Sequence, residues 1–143
     1  MKKIINFDMD GTIADLYGVD NWLAKVHASD PSPYIEAKPL LNLSALARRL
    51  NRLLREGYEV KVISWTAMNA TPAYNEAVET AKREWLKNHL PSVNFTAVEI
   101  VDYGTPKHEI SEGILFDDNA QVRAEWGEGA FDVDNILGVL GSL

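Results

Sequence analysis

Asp8 and Asp10 stand two positions apart and run directly into Gly11 and Thr12, while Asp117 and Asp118 stand side by side near the other end of the chain. Each pair follows a short apolar run, Ile4-Ile5-Asn6-Phe7 in one case and Ile114-Leu115-Phe116 in the other. Buried strands that end in paired acids are costly to fold unless a cation collects the charge. The four carboxylates offer hard oxygen ligands, which suits magnesium: it takes a few carboxylates, a backbone carbonyl and retained water in an octahedron. Softer metals lack their ligands, since the chain has no cysteine and His27, His89 and His108 fall at no metal-binding spacing. Beside such an ion one aspartate can attack phosphorus as a nucleophile. A second, two residues along, can exchange protons with the leaving oxygen. Gly11 lets the backbone approach a phosphate closely, and Thr12 adds a hydroxyl. These residues point to phosphate chemistry at a metal-bearing site.

Something must bring residues 8 and 118 together, and the pattern of elements does so. Residues 3–7 predict a strand apolar on both faces, and residues 18–28 a helix, with Val19, Trp22, Leu23 and Val26 at helical spacing. The three prolines in 29–39 predict a loop. Residues 42–56 form a helix with an apolar face of Leu43, Leu46, Ala47, Leu50, Leu53 and Leu54, stopped at Gly57. A strand follows at 58–64. Pro72 opens a helix that runs to about Leu90 and ends at Pro91. Residues 95–101 and 113–117 are further strands, Asn119 caps a helix reaching Trp126, and a short strand at 130–133 precedes a last helix at 134–140.

This alternation predicts a three-layer α/β sandwich with a mainly parallel, Rossmann-like sheet. Ligands of such sheets bind beyond the carboxyl ends of the strands. Asp8, Ser64 and Asp117 all fall at such ends, with Thr66 the rival hydroxyl in the loop after Ser64. Trp22, Trp85 and Trp126 sit at helical positions and are expected in the core. The three histidines are expected in surface or capping roles.

At 143 residues the chain suits a single domain, 1–143, with a true core. Fourteen Lys+Arg against 21 Asp+Glu give a net charge of −7, which argues against a long nucleic acid as partner. The absence of cysteine excludes disulfides, thiolate zinc sites and cysteine nucleophiles. No apolar stretch is long enough to span a membrane. Asn6 and Asp8 interrupt the run behind Lys2-Lys3 too early for a signal peptide. A cytoplasmic protein with no membrane partner is the expectation.

The segment Asp8-Met9-Asp10-Gly11-Thr12 resembles the first motif, DxDGT or DxDGV, of the haloacid-dehalogenase-like phosphatase superfamily. Three further motifs of that superfamily have counterparts in order: Ser64 at the end of a strand, Lys107 ten residues before the acid pair, and Asp117-Asp118. The resemblance implies that Asp8 is the nucleophile that forms an aspartyl-phosphate and Asp10 the general acid, then base. It implies that Ser64 and Lys107 hold phosphoryl oxygens, and that Mg2+ binds Asp8, the Asp10 carbonyl, and Asp117 or Asp118. A narrower resemblance, to the 5′(3′)-deoxyribonucleotidase branch, rests on Lys38-Pro39-Leu40, Gly57-Tyr58-Glu59-Val60, Lys82-Arg83-Glu84-Trp85-Leu86 and Leu115-Phe116-Asp117-Asp118-Asn119. In that branch the lysine matching Lys82 also contacts phosphate. The run from Asp117 to Arg123, with Trp126, is similar to the 3′-phosphatase domain of phage polynucleotide kinases.

Two departures follow. About 25 residues, 15–39, occupy the position where the nucleotidase branch carries a helical cap, so the cap is expected to be small or absent. Trp65 follows Ser64 where the family usually has a small residue, so Trp65 is expected to narrow the phosphate site or stack on a ring. The expectation is then a magnesium-dependent phosphomonoesterase acting on a small phosphorylated substrate, with a nucleotide as the leading choice. The phosphate site would hold Thr12, Ser64, Trp65, Lys82 and Lys107. The rivals are a non-catalytic phosphate- or metal-binding module, a phosphatase of nucleic-acid 3′-phosphate ends, and a phosphotransferase.

Overall fold

A computed structural model describes residues 2–143. Its five-stranded sheet grows from the most apolar segment of the chain. β1 (Ile4–Phe7) is buried at all four positions, so both faces of this strand must be covered. β4 (Glu59–Trp65) and β6 (Ile114–Phe116) flank it in parallel, with Phe7 level with Val62 on one side and Phe116 on the other. β5 (Ala97–Val101) and β7 (Ala130–Phe131) complete the sheet in the order β5-β4-β1-β6-β7, parallel throughout. The sequence order of the strands reverses at β1, and the loops beyond β1 and β6 therefore open a crevice between them.

The helices form where capping and periodicity agree. α3 (Leu43–Arg55) starts at Asn42, whose side chain accepts from the Ala45 N–H, and buries Leu46, Leu50 and Leu53. Gly57 ends it with a φ of +92°. α4 (Pro72–His89) begins with Pro72 behind the Thr71 cap, and buries Tyr74, Val78, Ala81, Lys82 and Trp85 on one stripe. α5 (Ala120–Trp126) takes its cap from Asn119, whose side chain accepts from the Gln121 and Val122 N–H groups. α6 (Ile136–Gly141) packs on α3 and sends Ile136 and Leu140 into the same core as Ile5, Phe7, Val60 and Val62. α5 packs instead on β7 and on the 3-10 turn Lys107–Glu109. The architecture is the expected α/β arrangement: helices on a parallel sheet, with the chemically loaded residues at its carboxyl edge.

The stretch between the first motif and α3 departs from its reading. Residues 18–28 are not one helix. Asp15 caps a 3-10 turn over Leu16–Gly18, Asn21 takes the left-handed conformation at φ +59°, and α1 (Trp22–His27) starts only after it. Residues 29–39 are not mostly loop. α2 (Ser32–Glu36) has Pro33 in its first turn, where the missing N–H breaks no helical bond. Pro39 lies in β3 (Lys38–Pro39), which pairs antiparallel with β2 (Ala14–Asp15) in a separate two-stranded ribbon. Prolines at a helix start and on an edge strand are compatible with structure, which the count of prolines alone conceals. Tyr74 of α4 donates its hydroxyl to the Asp30 carbonyl at 2.9 Å and so ties this insert to the core.

Trp85 is buried as expected, its indole N–H on the Ala37 carbonyl at 2.7 Å. Trp22 and Trp126 are only half-buried. Trp22 faces a cavity, and Trp126 lies near the surface with its N–H on the Gly113 carbonyl. Both lie on short helices, too short for one stripe to be fully covered. No helix among the described residues is long and apolar enough to cross a membrane.

Candidate active site

The pairing of β1 with β6 makes the site. The Asp8 backbone N–H donates to the Phe116 carbonyl at 3.0 Å, so the residue after each strand end arrives at the same level. Buried Asn6 reinforces the join by donating its side-chain amide to the Glu112 and Ile114 carbonyls, both at 2.9 Å. Carboxylate oxygens of Asp8, Asp117 and Asp118 consequently lie within 4.8 Å of one another. Asp10 belongs to the same crevice, but its carboxylate is turned the other way, onto Lys82.

Two buried ammonium groups divide the acids between them. Lys107 Nζ donates to Asp8 Oδ1 at 2.9 Å and to Asp117 Oδ2 at 2.7 Å. Lys82 Nζ donates to Asp10 Oδ2 at 2.8 Å, to Ser64 Oγ at 2.6 Å and to the Trp65 carbonyl at 2.6 Å. An ammonium carries three donor hydrogens. Lys82 therefore has all three engaged, whereas Lys107 retains one. Lys107 lines the cavity above the acids, with its Nζ 5.3 Å from the centre of the Trp65 ring. Lys82 sits behind the site at 1% side-chain exposure, below the Tyr34 ring.

The hydroxyls are equally specific. Thr12 donates to Asp8 Oδ2 at 2.9 Å, so both oxygens of Asp8 are held, one by Thr12 and one by Lys107. Ser64 accepts from Lys82, which leaves its own hydrogen free to donate. Thr66, on the cavity wall, has a buried hydroxyl with no hydrogen-bond partner among the described residues. The Trp65 indole N–H is engaged by the Thr105 carbonyl at 2.9 Å, so what Trp65 offers the cavity is its ring.

Four carboxylates face two ammonium groups, which leaves two negative charges in a partly buried crevice. Titration reflects that excess. Burial pushes the Asp118 carboxyl up, and the Asp8 and Asp117 carboxylates beside it push further, to about 7. Burial also raises Asp117, with Asp8 adding to it. Asp10 is raised by burial, against the pull of Lys82. For Lys107, burial favours the neutral amine, but Asp8 and Asp117 outweigh it and hold the pKa above the usual lysine value. A divalent cation on Asp8, Asp117 and Asp118 fits this donor set in both chemistry and charge.

Gly11 is at φ +80°, and a Cβ there would overlap the Asp118 carboxylate and press on the Tyr17 ring. We expect Gly11→Ala to cost about 1–3 kcal/mol in a urea titration, from left-handed backbone strain and the displaced carboxylate. It should also reduce metal affinity measured by calorimetry. An unchanged midpoint would show that the loop relaxes freely.

Above the acids lies a cavity of about 260 Å³, walled by Trp65 and by further rings that no motif marks. Tyr17, Trp22 and Tyr34 come from the insert, and Tyr103 from the loop after β5. None belongs to a motif; periodicity points Trp22 to the core instead, and it gives no sign for Tyr17, Tyr34 or Tyr103, which sit on turns or on very short helices. His27, expected on the surface, is exposed and also contributes to the lining.

No protein-family model matches the chain, and no curated protein matches it. Among solved structures it is similar to the crystal structure of a D,D-heptose 1,7-bisphosphate phosphatase from Burkholderia thailandensis. That likeness covers 99% of this chain and 97% of the other, at 15% identity and a TM-score of 0.56. Likeness at this identity is one of fold: the two chains share a Rossmann-like α/β architecture built on a parallel sheet.

Proposed function

We propose that the protein is a magnesium-dependent phosphomonoesterase that works through an aspartyl-phosphate on Asp8. The observation that carries this is the division of labour around the two lysines. Asp8 is held at both oxygens in a fixed orientation, while Asp10 is turned out of that network onto Lys82. A nucleophile must be aimed at phosphorus, and an acid must stand apart from it to meet the departing oxygen. Two carboxylates in unlike surroundings support those two roles.

When bound by Asp8, Asp117 and Asp118, with the Asp10 carbonyl as a further ligand, Mg2+ would offset the charge of an incoming phosphate dianion. Asp8 attacks phosphorus as the ester P–O bond breaks, and Asp10 gives its proton to the departing oxygen. Water then attacks the acyl phosphate, Asp10 takes the proton, and inorganic phosphate leaves with Asp8 restored. The third hydrogen of Lys107 and the free hydroxyl hydrogen of Ser64 are placed to meet phosphoryl oxygens. Thr12 orients Asp8, and Lys82 orients Asp10 and Ser64.

We read residues 1–143 as one domain in which the short insert at 15–39 serves as the cap, and the protein as a cytoplasmic enzyme. The structural neighbour's name describes a bisphosphate phosphatase. For this chain we favour a small phosphomonoester, a nucleotide first, through the resemblance of its motifs to the deoxyribonucleotidase branch.

Release of phosphate from p-nitrophenyl phosphate with and without magnesium tests the reading directly. Excess EDTA should remove activity, and magnesium at a hundred times its Kd should stabilise the fold by about 2.7 kcal/mol. Magnesium binding without phosphate release would instead support a non-catalytic module. Lys82→Met should lower kcat far more than it raises KM, because it frees Asp10 and Ser64 without removing a phosphate contact. A change confined to KM would make Lys82 a phosphate ligand.

A further inference from the structure

The cavity has two unlike ends. Its floor is ionic, built from Asp8, Asp10, Lys107, Asp117 and Asp118. Its upper walls are aromatic and arranged as facing pairs. Tyr17 and Trp22, from the insert, meet edge to face with centroids 5.0 Å apart. Trp65 and Tyr103, from the loops after β4 and β5, meet at 4.9 Å. The Thr105 carbonyl fixes the Trp65 ring through its N–H, so this wall is set before any ligand arrives. Tyr17 and Tyr103 are each 51% exposed, although they line the same cavity as the acids. Large rings left half open around a small cavity are surface waiting for a flat partner.

The charge on the lining is as telling. Among the described residues, Lys107 and His27 are its basic side chains, and Lys107 is engaged on the floor by Asp8 and Asp117. A second phosphate at the mouth would meet His27, the rings, and the excess negative charge below. At about 260 Å³ the cavity holds one phosphate and one ring system, and it is small for an oligomer.

We propose that the upper cavity is a leaving-group subsite for a flat, uncharged ring, so that the substrate is a monophosphate ester of an aromatic alcohol or a nucleoside and not a bisphosphate or a plain sugar phosphate. This rests on the phosphatase reading above and adds the residues that select within it. The Tyr17–Trp22 and Trp65–Tyr103 pairs bind by ring faces, which every base and aryl group shares. Selection is therefore for the presence of a ring and is tolerant of which ring it is.

The test compares kcat/KM for the four nucleoside 5′-monophosphates, phenyl phosphate, glycerol phosphate, a hexose 6-phosphate and a hexose bisphosphate. Ring-bearing monoesters should exceed the ringless ones by at least about tenfold, the worth of one stacking contact. Tyr103→Ala should collapse that ratio several-fold through KM, and Tyr103→Phe should restore it. Equal or better turnover of the bisphosphate, or a ratio indifferent to Tyr103→Ala, overturns the subsite. Should no ester release phosphate, the phosphatase reading falls, and the subsite is judged by binding alone. Uridine monophosphate should then quench the fluorescence of Trp22 and Trp65 where glycerol phosphate does not. Equal responses to the two, or none, overturn it on that arm.

Discussion

Asp8→Asn should abolish turnover while leaving the circular dichroism spectrum and the cooperative unfolding transition in place. The amide is the same shape as the carboxylate and keeps one oxygen to accept from Lys107 or Thr12, so the geometry at the end of β1 survives. What disappears is the negative charge that attacks phosphorus. Removal of a catalytic nucleophile costs on the order of 10⁴-fold or more in kcat, because the remaining groups cannot perform the displacement alone. Single-turnover assays with p-nitrophenyl phosphate give the readout, and mass spectrometry of quenched wild-type protein should find the phosphoryl group on the peptide that contains Asp8. An Asp8→Asn protein with wild-type turnover would end the covalent mechanism, because no other carboxylate in the crevice is held at both oxygens by side chains.

Lys107→Met should have the largest effect on stability, about 3–5 kcal/mol in metal-free protein, read from the urea midpoint. Lys107 is 3% exposed, and the Asp117 side chain it bonds is 1% exposed. Removing the ammonium leaves Asp8 and Asp117 facing each other with no positive charge between them. The penalty is that of an uncompensated buried charge, not that of a lost surface ion pair. Magnesium should return part of the lost stability, since a cation on the same carboxylates relieves the same repulsion. Loss of stability that magnesium leaves untouched would mean that Lys107 supports the fold through packing alone. Activity should fall as well, even with saturating magnesium, through the third donor hydrogen.

The sequence yields much of this site because its ionic part is local. Asp8 and Asp117 follow strands so apolar that their burial and pairing are nearly obligatory, and a residue directly after such a strand has one place to go. α3 and α4 were legible for similar reasons: long stripes of Leu or mixed apolar residues, an Asn or Thr cap, and a Gly or Pro beyond. The insert was not legible. Its helices α1 and α2 are six and five residues long, too short for a periodicity to establish itself. They are held by the Tyr74 hydroxyl and by packing of Leu16 and Tyr34 against α4, contacts that join distant parts of the chain. The placement of Trp22 on the cavity follows from those contacts and that of Tyr103 from its packing on Trp65, neither from a motif. The partners of the two lysines were hidden likewise. The resemblance to phosphatase motifs singles out Lys82 and Lys107, but only the fold shows that one lies behind the acids and the other among them.

The two-stranded ribbon has a mechanical consequence. Residues 16–36 leave and rejoin the core through β2 and β3, which pair at just two positions, Ala14 with Pro39 and Asp15 with Lys38. The same stretch of backbone is stitched to Asp10: the Gly11 N–H bonds the Ala14 carbonyl at 2.9 Å, and Asp10 bridges to Ala14. Any force on the insert therefore reaches the backbone at Ala14, four residues from Asp10. The mouth of the cavity and the acid on its floor are thus joined through one short piece of backbone.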